Sequence, residues 1–155
     1  MGVEIERKYL VNHKLWNEVK PSVGDEIKQA YLSHDPAKII RVRTKGNQGF
    51  ITIKSKSVGD TRQEFEYEIP LADALELMKS FCSHFIEKVR YYITFENKLW
   101  EVDEFTGDNA GLIMAEVELE SEEEVYSLPN WVTENVSADR RYANSNLTVR
   151  PFKTW

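Results

Sequence analysis

The 155-residue sequence has little of what would mark several function classes. One cysteine, Cys82, leaves no partner for an internal disulfide, and three histidines, His13, His34 and His84, are scattered without the close spacing of zinc ligands. Cys82 lies in a helical pattern with no histidine beside it in sequence, which suits a packed thiol better than a nucleophile. No apolar run reaches the ~20 residues that span a bilayer, and there is no linker, low-complexity tract or internal repeat. The first residues alternate in charge where a secretion signal would place an apolar segment and a small-residue cleavage site. Together with the lone thiol, this predicts a cytoplasmic protein. The formal net charge of −6 opposes broad attraction to nucleic acid or anionic lipid, so neither is an expected partner.

What is present is alternation. The length suits one domain, residues 1–155, burying about two-thirds of the surface its unfolded chain exposes. Period-two patterning predicts strands at Val3–Leu10, Ile27–Leu32, Ile39–Thr44, Gly49–Lys56, Arg62–Ile69, Glu87–Phe95, Lys98–Phe105 and Leu112–Glu120. Turn residues at 45–49, 58–60, 96–98 and 106–111 separate several of them, so most neighbours should be antiparallel. Helical spacing marks Lys14–Val19, Leu71–Phe85 and a stretch near the C-terminus. Ser121 with Glu124 three residues on predicts a capping box opening a short helix through Val125 and Tyr126, ended by Pro129.

Splitting each strand by parity gives two unlike faces. One carries Val3 and Ile5, Val42, Ile51 and Ile53, Phe65 and Tyr67, Tyr91, Ile93 and Phe95, Trp100 and Val102, and Val117. Tyr67, Tyr91, Phe95 and Trp100 should pack beneath helices. The other face carries Glu4, Glu6 and Lys8; Arg41 and Arg43; Thr52, Lys54 and Lys56; Glu64, Glu66 and Glu68; Lys88 and Arg90; Glu101 and Asp103; Glu116, Glu118 and Glu120. A sheet with one wet face would mix in Ser, Gln and Asn. Here whole strands carry one sign.

Carboxylates two residues apart on a strand, ~7 Å, repel by roughly 2 kcal/mol at an effective dielectric of about 20. Open water removes the penalty, whereas an enclosed space keeps it unless a cation intervenes. A closed barrel with its apolar face outward under helices would gather acidic and basic strands around one lumen. Guanidinium and ammonium groups there match a chain of phosphate oxygens, and the carboxylates match hard ions such as Mg²⁺ or Mn²⁺. Both sets together suit a metal–polyphosphate complex.

The series Glu4-x-Glu6-x-Lys8, Arg41-x-Arg43, Thr52-x-Lys54, Glu64-x-Glu66, Lys88-x-Arg90, Glu101-x-Asp103 and Glu116-x-Glu118 resembles the CYTH, or triphosphate tunnel metalloenzyme, family over nearly the whole chain. The stretch Ser137–Leu147 resembles that family's C-terminal segment. The resemblance implies an α+β fold: an eight-stranded antiparallel β-barrel whose charged tunnel binds triphosphates with divalent metal, helices packed outside. It further implies Glu4, Glu6 and Glu118 as metal carboxylates with Glu116 close by. Lys8, Arg41, Arg43, Lys54, Lys88 and Arg90 become phosphate contacts. Tyr31 pairs with Lys8 in the reaction, and Glu64, Glu66, Glu101 and Asp103 stand behind the metal or partner the cations.

The reaction this implies is metal-dependent hydrolysis of a small-molecule triphosphate, first of all inorganic tripolyphosphate, which needs only the charged lumen. A class IV-type adenylate cyclase, a thiamine or nucleoside triphosphatase, and a non-catalytic polyphosphate sensor are the alternatives. A homodimer is compatible with the sequence.

Overall fold

The structure, a computed structural model, describes residues 2–155. In chain order it runs β1 (Gly2–Val11), α1 (His13–Val19), β2 (Asp25–Ser33), β3 (Lys38–Lys45), β4 (Gln48–Ser55), β5 (Thr61–Ile69), α2 (Leu71–Phe81), β6 (Ile86–Phe95), β7 (Lys98–Phe105), β8 (Ile113–Glu118), β9 (Val132–Asn135) and α3 (Asn144–Val149). Two hairpins turn within two residues. At β3–β4, Gly46 supplies the single left-handed residue (φ 59°), and at β6–β7 Glu96 and Asn97 both take positive φ (44° and 66°), the mirror-image turn that suits strand twist.

All strand pairs are antiparallel, in the order β5-β4-β3-β2-β6-β7-β8-β1. The row closes because β1 changes partner midway. Glu6–Leu10 pairs with β8, while Gly2–Ile5 pairs with Thr61–Glu64 of β5. The eight-stranded antiparallel barrel is therefore formed, with the helices outside. β9, which the sequence did not reveal, adds four residues beside the end of β1. It is too short to show a period.

The outward face of the barrel holds the main core. Trp16 of α1 and Trp100 of β7 pack against Trp131 with steeply inclined rings, centroids 5.0 and 5.9 Å apart, and the Trp16 Nε1–H donates to Glu104 at 2.8 Å. Tyr91 and Phe95 pack partly against this cluster, as their parity predicts. α2 lays Ala74 and Met78 on Ala30 and Val42. Its close approach requires Gly49, where a Cβ would stand 2.8 Å from that of Ala74. A third cluster lies on the lumen side of one barrel end, where Ile86, Phe105 and Met114 continue the inward parity of β6, β7 and β8 but are apolar. Tyr142 and Leu147 of the C-terminal segment cover them.

Three expectations need correction. α2 stops at Phe81 instead of Phe85, because beyond Met78 the helix has no face left to bury and Phe81 is 70% exposed. Ser121–Glu124 forms a turn and no helix: Glu124 accepts the backbone N–H of Glu120 at 2.7 Å, and Val125, 95% exposed, gives a helix nothing to pack. Tyr67 has the expected outward parity, yet it is 53% exposed, with no helix over it. Among the described residues no helix is long and apolar enough to cross a membrane.

Trp16→Ala should lower the unfolding free energy by about 3–5 kcal/mol, the range for emptying a buried indole site, as measured by chemical denaturation.

Candidate active site

Strand register decides which charges meet in the lumen. On β1, Glu4 lies opposite Arg62, Glu6 opposite Glu118, and Lys8 opposite Glu116. On β3, β4 and β5, Arg41 neighbours Thr52, which neighbours Glu66, and Lys54 neighbours Glu64. Tyr31 lies opposite Arg41, Arg90 opposite Asp103, and Glu101 opposite Glu116. The barrel thus gathers Glu4, Glu6, Lys8, Tyr31, Arg41, Arg43, Lys54, Glu64, Glu66, Lys88, Arg90, Glu101, Glu116 and Glu118 around one cavity of about 260 Å³.

Asp103 does not line it. It lies fully buried behind the wall, where Arg90 grips its carboxylate through two hydrogen bonds (2.7 and 2.9 Å) and Lys88 sits at 2.8 Å. Burial works against that charge, but Arg90 and Lys88 hold the carboxyl well below the usual carboxylate range. Asp103 is a counterion for the two cations in front of it. Lys56, Glu68 and Glu120 share the inward parity, yet they sit at strand ends or beyond and are exposed.

Three polar lining groups, Arg62, Asn144 and Ser145, stand outside the residues assigned from the sequence. Arg62 reaches Glu4 at 3.3 Å, and its parity with Glu64 and Glu66 was the available signal. Asn144 enters from the C-terminal segment, and no periodicity points to it.

The cations are incompletely matched. Arg41 and Arg43 both direct an Nη2–H at the same Glu66 oxygen (3.2 and 3.3 Å), which also accepts from the Thr52 hydroxyl at 2.8 Å. Their Nε–H groups are buried with no partner. Burial, with Arg41 and Arg90 nearby, pushes Arg43 down to about 10, a cluster of positive charge short of anions. Burial likewise pushes Lys88 down to about 8 despite Asp103. Lys54 bridges Glu4 and Glu64, each at 3.2 Å. Burial opposes the charge on Lys8, but Glu116 and Glu6, each 3.9 Å away, raise its pKa.

The acidic side shows the converse strain. Burial, then the neighbouring Glu4 and Glu6, raises the Glu118 carboxyl above its ordinary value. Glu101 is raised by burial and then by Glu116 and Asp103, against the pull of Arg90. A hard divalent cation at Glu4, Glu6 and Glu118 would offset that repulsion, so this all-oxygen donor set fits Mg²⁺ or Mn²⁺. Among the described residues no three His, Cys, Asp or Glu side chains are placed to hold a metal ion by themselves, so water and phosphate oxygens would have to complete the shell of any ion at these glutamates.

Comparison with known proteins agrees with this geometry. The CYTH domain family matches residues 2–150. An inorganic triphosphatase of Acetivibrio thermocellus is 42% identical over all of this chain and 99% of its own length. One from Nitrosomonas europaea is 33% identical over 94% of this chain and 97% of its own. A crystal structure of an inorganic triphosphatase superposes with a TM-score of 0.66 at 31% identity, covering 96% of each chain. With the family matched from the first described strand to the last helix, this chain belongs to the CYTH domain family.

Proposed function

We propose that this protein is an inorganic triphosphatase that adds water across a terminal phosphoanhydride bond of tripolyphosphate, releasing phosphate and pyrophosphate. The observation that carries this reading is the lumen itself. Apart from Tyr31, Ile39 and Ala143, every side chain lining it is charged or is Asn144 or Ser145, and the buried Nε–H groups of Arg41 and Arg43 have no partner. That lining offers no apolar slot for a base or a thiazole, whereas a chain of phosphates is satisfied throughout. The relatives named inorganic triphosphatase support the same substrate.

Membership in the family implies a divalent metal, and Glu4, Glu6 and Glu118, with Glu116 beside them, are the residues to hold Mg²⁺ or Mn²⁺. When bound, the ion would neutralise phosphate oxygens and acidify the attacking water. The protein's own groups do the positioning that phosphoryl transfer mainly requires. Arg41 and Arg43 take phosphate oxygens on their unpartnered faces, with Lys54 and Lys88 as further point charges. Arg90 keeps Asp103 and exchanges Glu101, which it holds at 2.7 Å, for a phosphate oxygen. Lys8, kept as an ammonium by Glu116 and Glu6, faces the departing oxygen, with Tyr31 across the lumen on β2 to share its proton. The half-buried Glu66 and Glu101 stand as partners to the cations, with Glu64, and not as metal ligands. The lone half-buried Cys82 suits a reducing compartment such as the cytoplasm.

Incubation with tripolyphosphate, ATP, GTP and thiamine triphosphate, each with Mg²⁺ or Mn²⁺, tests the substrate. Phosphate release should be fastest from tripolyphosphate. Cyclic AMP as the main product from ATP would replace this reading with a cyclase, and binding without turnover would replace it with a sensor.

Glu6→Gln and Glu118→Gln should each reduce turnover by about a hundredfold, the scale of losing one preorganised electrostatic partner, with circular dichroism unchanged. Because Lys88 is charged only below about 8, kcat/KM for tripolyphosphate should fall as pH rises through that value, and Lys88→Arg should move this limb to higher pH.

A further inference from the structure

Lys88 is buried and has three N–H donors. One goes to Asp103 Oδ2 at 2.8 Å and one to Asn144 Oδ1 at 3.0 Å. The third remains for a ligand in the cavity that Lys88 lines. Asn144 enters the lumen from the segment that also closes the apolar barrel end through Tyr142 and Leu147.

Nothing in the local structure of that segment calls for asparagine. Asn144 is the first residue of α3, a position where asparagine is a mediocre helix former, and α3 has no side-chain cap hydrogen bond. Its amide is committed to the lumen instead. Beside it the fully buried Gln29 directs Nε2–H at the Tyr31 hydroxyl (2.9 Å) and at Asn144 Oδ1 (3.5 Å). This orientation lets Asn144 Oδ1 accept from both sides; reversing the Gln29 amide would set two oxygens against each other. The segment is held rigidly. Asn109 reaches the Leu147 carbonyl and accepts from the Phe152 N–H, and Lys153 pairs with Asp108 at 2.6 Å.

We propose that Asn144 is a positioning residue for the lumen cation Lys88: its Oδ1, together with Asp103, holds the ammonium so that the remaining N–H points at a phosphate oxygen. The proposal rests on reading the lumen as a triphosphate site. It makes docking of the C-terminal segment part of assembling that site, because a side chain already held in its binding geometry loses less freedom when the anion arrives.

A double-mutant cycle on the full chain tests it. Asn144→Ala should raise KM for magnesium tripolyphosphate about tenfold, the scale of one hydrogen bond to a charged group, and change kcat by less than about threefold. In a Lys88→Met background the same substitution should leave KM unchanged, since there is no ammonium left to orient. An unaltered KM for Asn144→Ala alone, or an equal effect in both backgrounds, overturns the proposal. Because the cycle compares backgrounds, any general loss of packing on removing the amide appears equally in both and counts against it. Wild-type protein that fails to hydrolyse tripolyphosphate defeats the functional reading instead, and so the two failures are distinguishable.

Discussion

A strand that pairs with β8 through Glu6–Leu10 and with β5 through Gly2–Ile5 turns a row of strands into a closed wall, and every charge on its inner face then meets bulk water only through the mouths. Enclosing charge is costly unless it is matched. The register supplies much of the matching: Glu4 with Arg62 and Lys54, Glu64 with Lys54, Glu66 with Arg41 and Arg43, Asp103 with Arg90 and Lys88. What remains unmatched is sorted in space. Positive charge is in excess at Arg43, where burial with Arg41 and Arg90 nearby lowers the proton affinity, and negative charge at Glu118, where burial with Glu4 and Glu6 nearby raises it. An anion and a hard cation arriving together would relieve both imbalances, and on the function proposed above the cost of closure becomes the basis of recognition.

Such a lumen cannot also serve as the hydrophobic core, and the fold places its core elsewhere. The tryptophan cluster and the α2 contacts lie on the outside of the barrel, where they hold the strands without competing for lumen space. The exception is the end where Ile86, Phe105 and Met114 turn inward. There the C-terminal segment finds an apolar seat, and it carries Asn144 to Lys88. Rigid walls matter to the chemistry because fixed dipoles and charges stabilise a transition state without reorganising.

Legibility in the sequence followed one rule. Where a residue's role depends on strand parity, the alternation revealed it: Glu4, Glu6, Lys8, Arg41, Arg43, Lys54 and Arg90 all line the lumen as their spacing requires. Asp103 had the right parity but sits behind the wall, because whether a side chain faces a cavity or a neighbour depends on what stands opposite, here Arg90 and Lys88. Arg62 shares the parity of Glu64 and Glu66 and lines the lumen with them. Asn144, at the start of α3, was not legible by parity, since where a side chain of the C-terminal segment points is set by tertiary docking. The turn at Ser121–Glu124 shows the limit of local signals, for a capping motif stabilises a helix only when a packed face follows it, and Val125 and its neighbours have none.

By itself, the sequence determined the two-faced strands, the outward placement of most apolar residues, and the clustering of like charge on most strands, because a side-chain period of two is a property of the extended backbone alone. It did not determine which carboxylate meets which cation. That was decided by the tertiary structure, through the half-and-half pairing of β1 and the docking of the C-terminal segment, since contacts between residues as distant as Glu4 and Lys54 or Lys88 and Asn144 exist only once the barrel has closed.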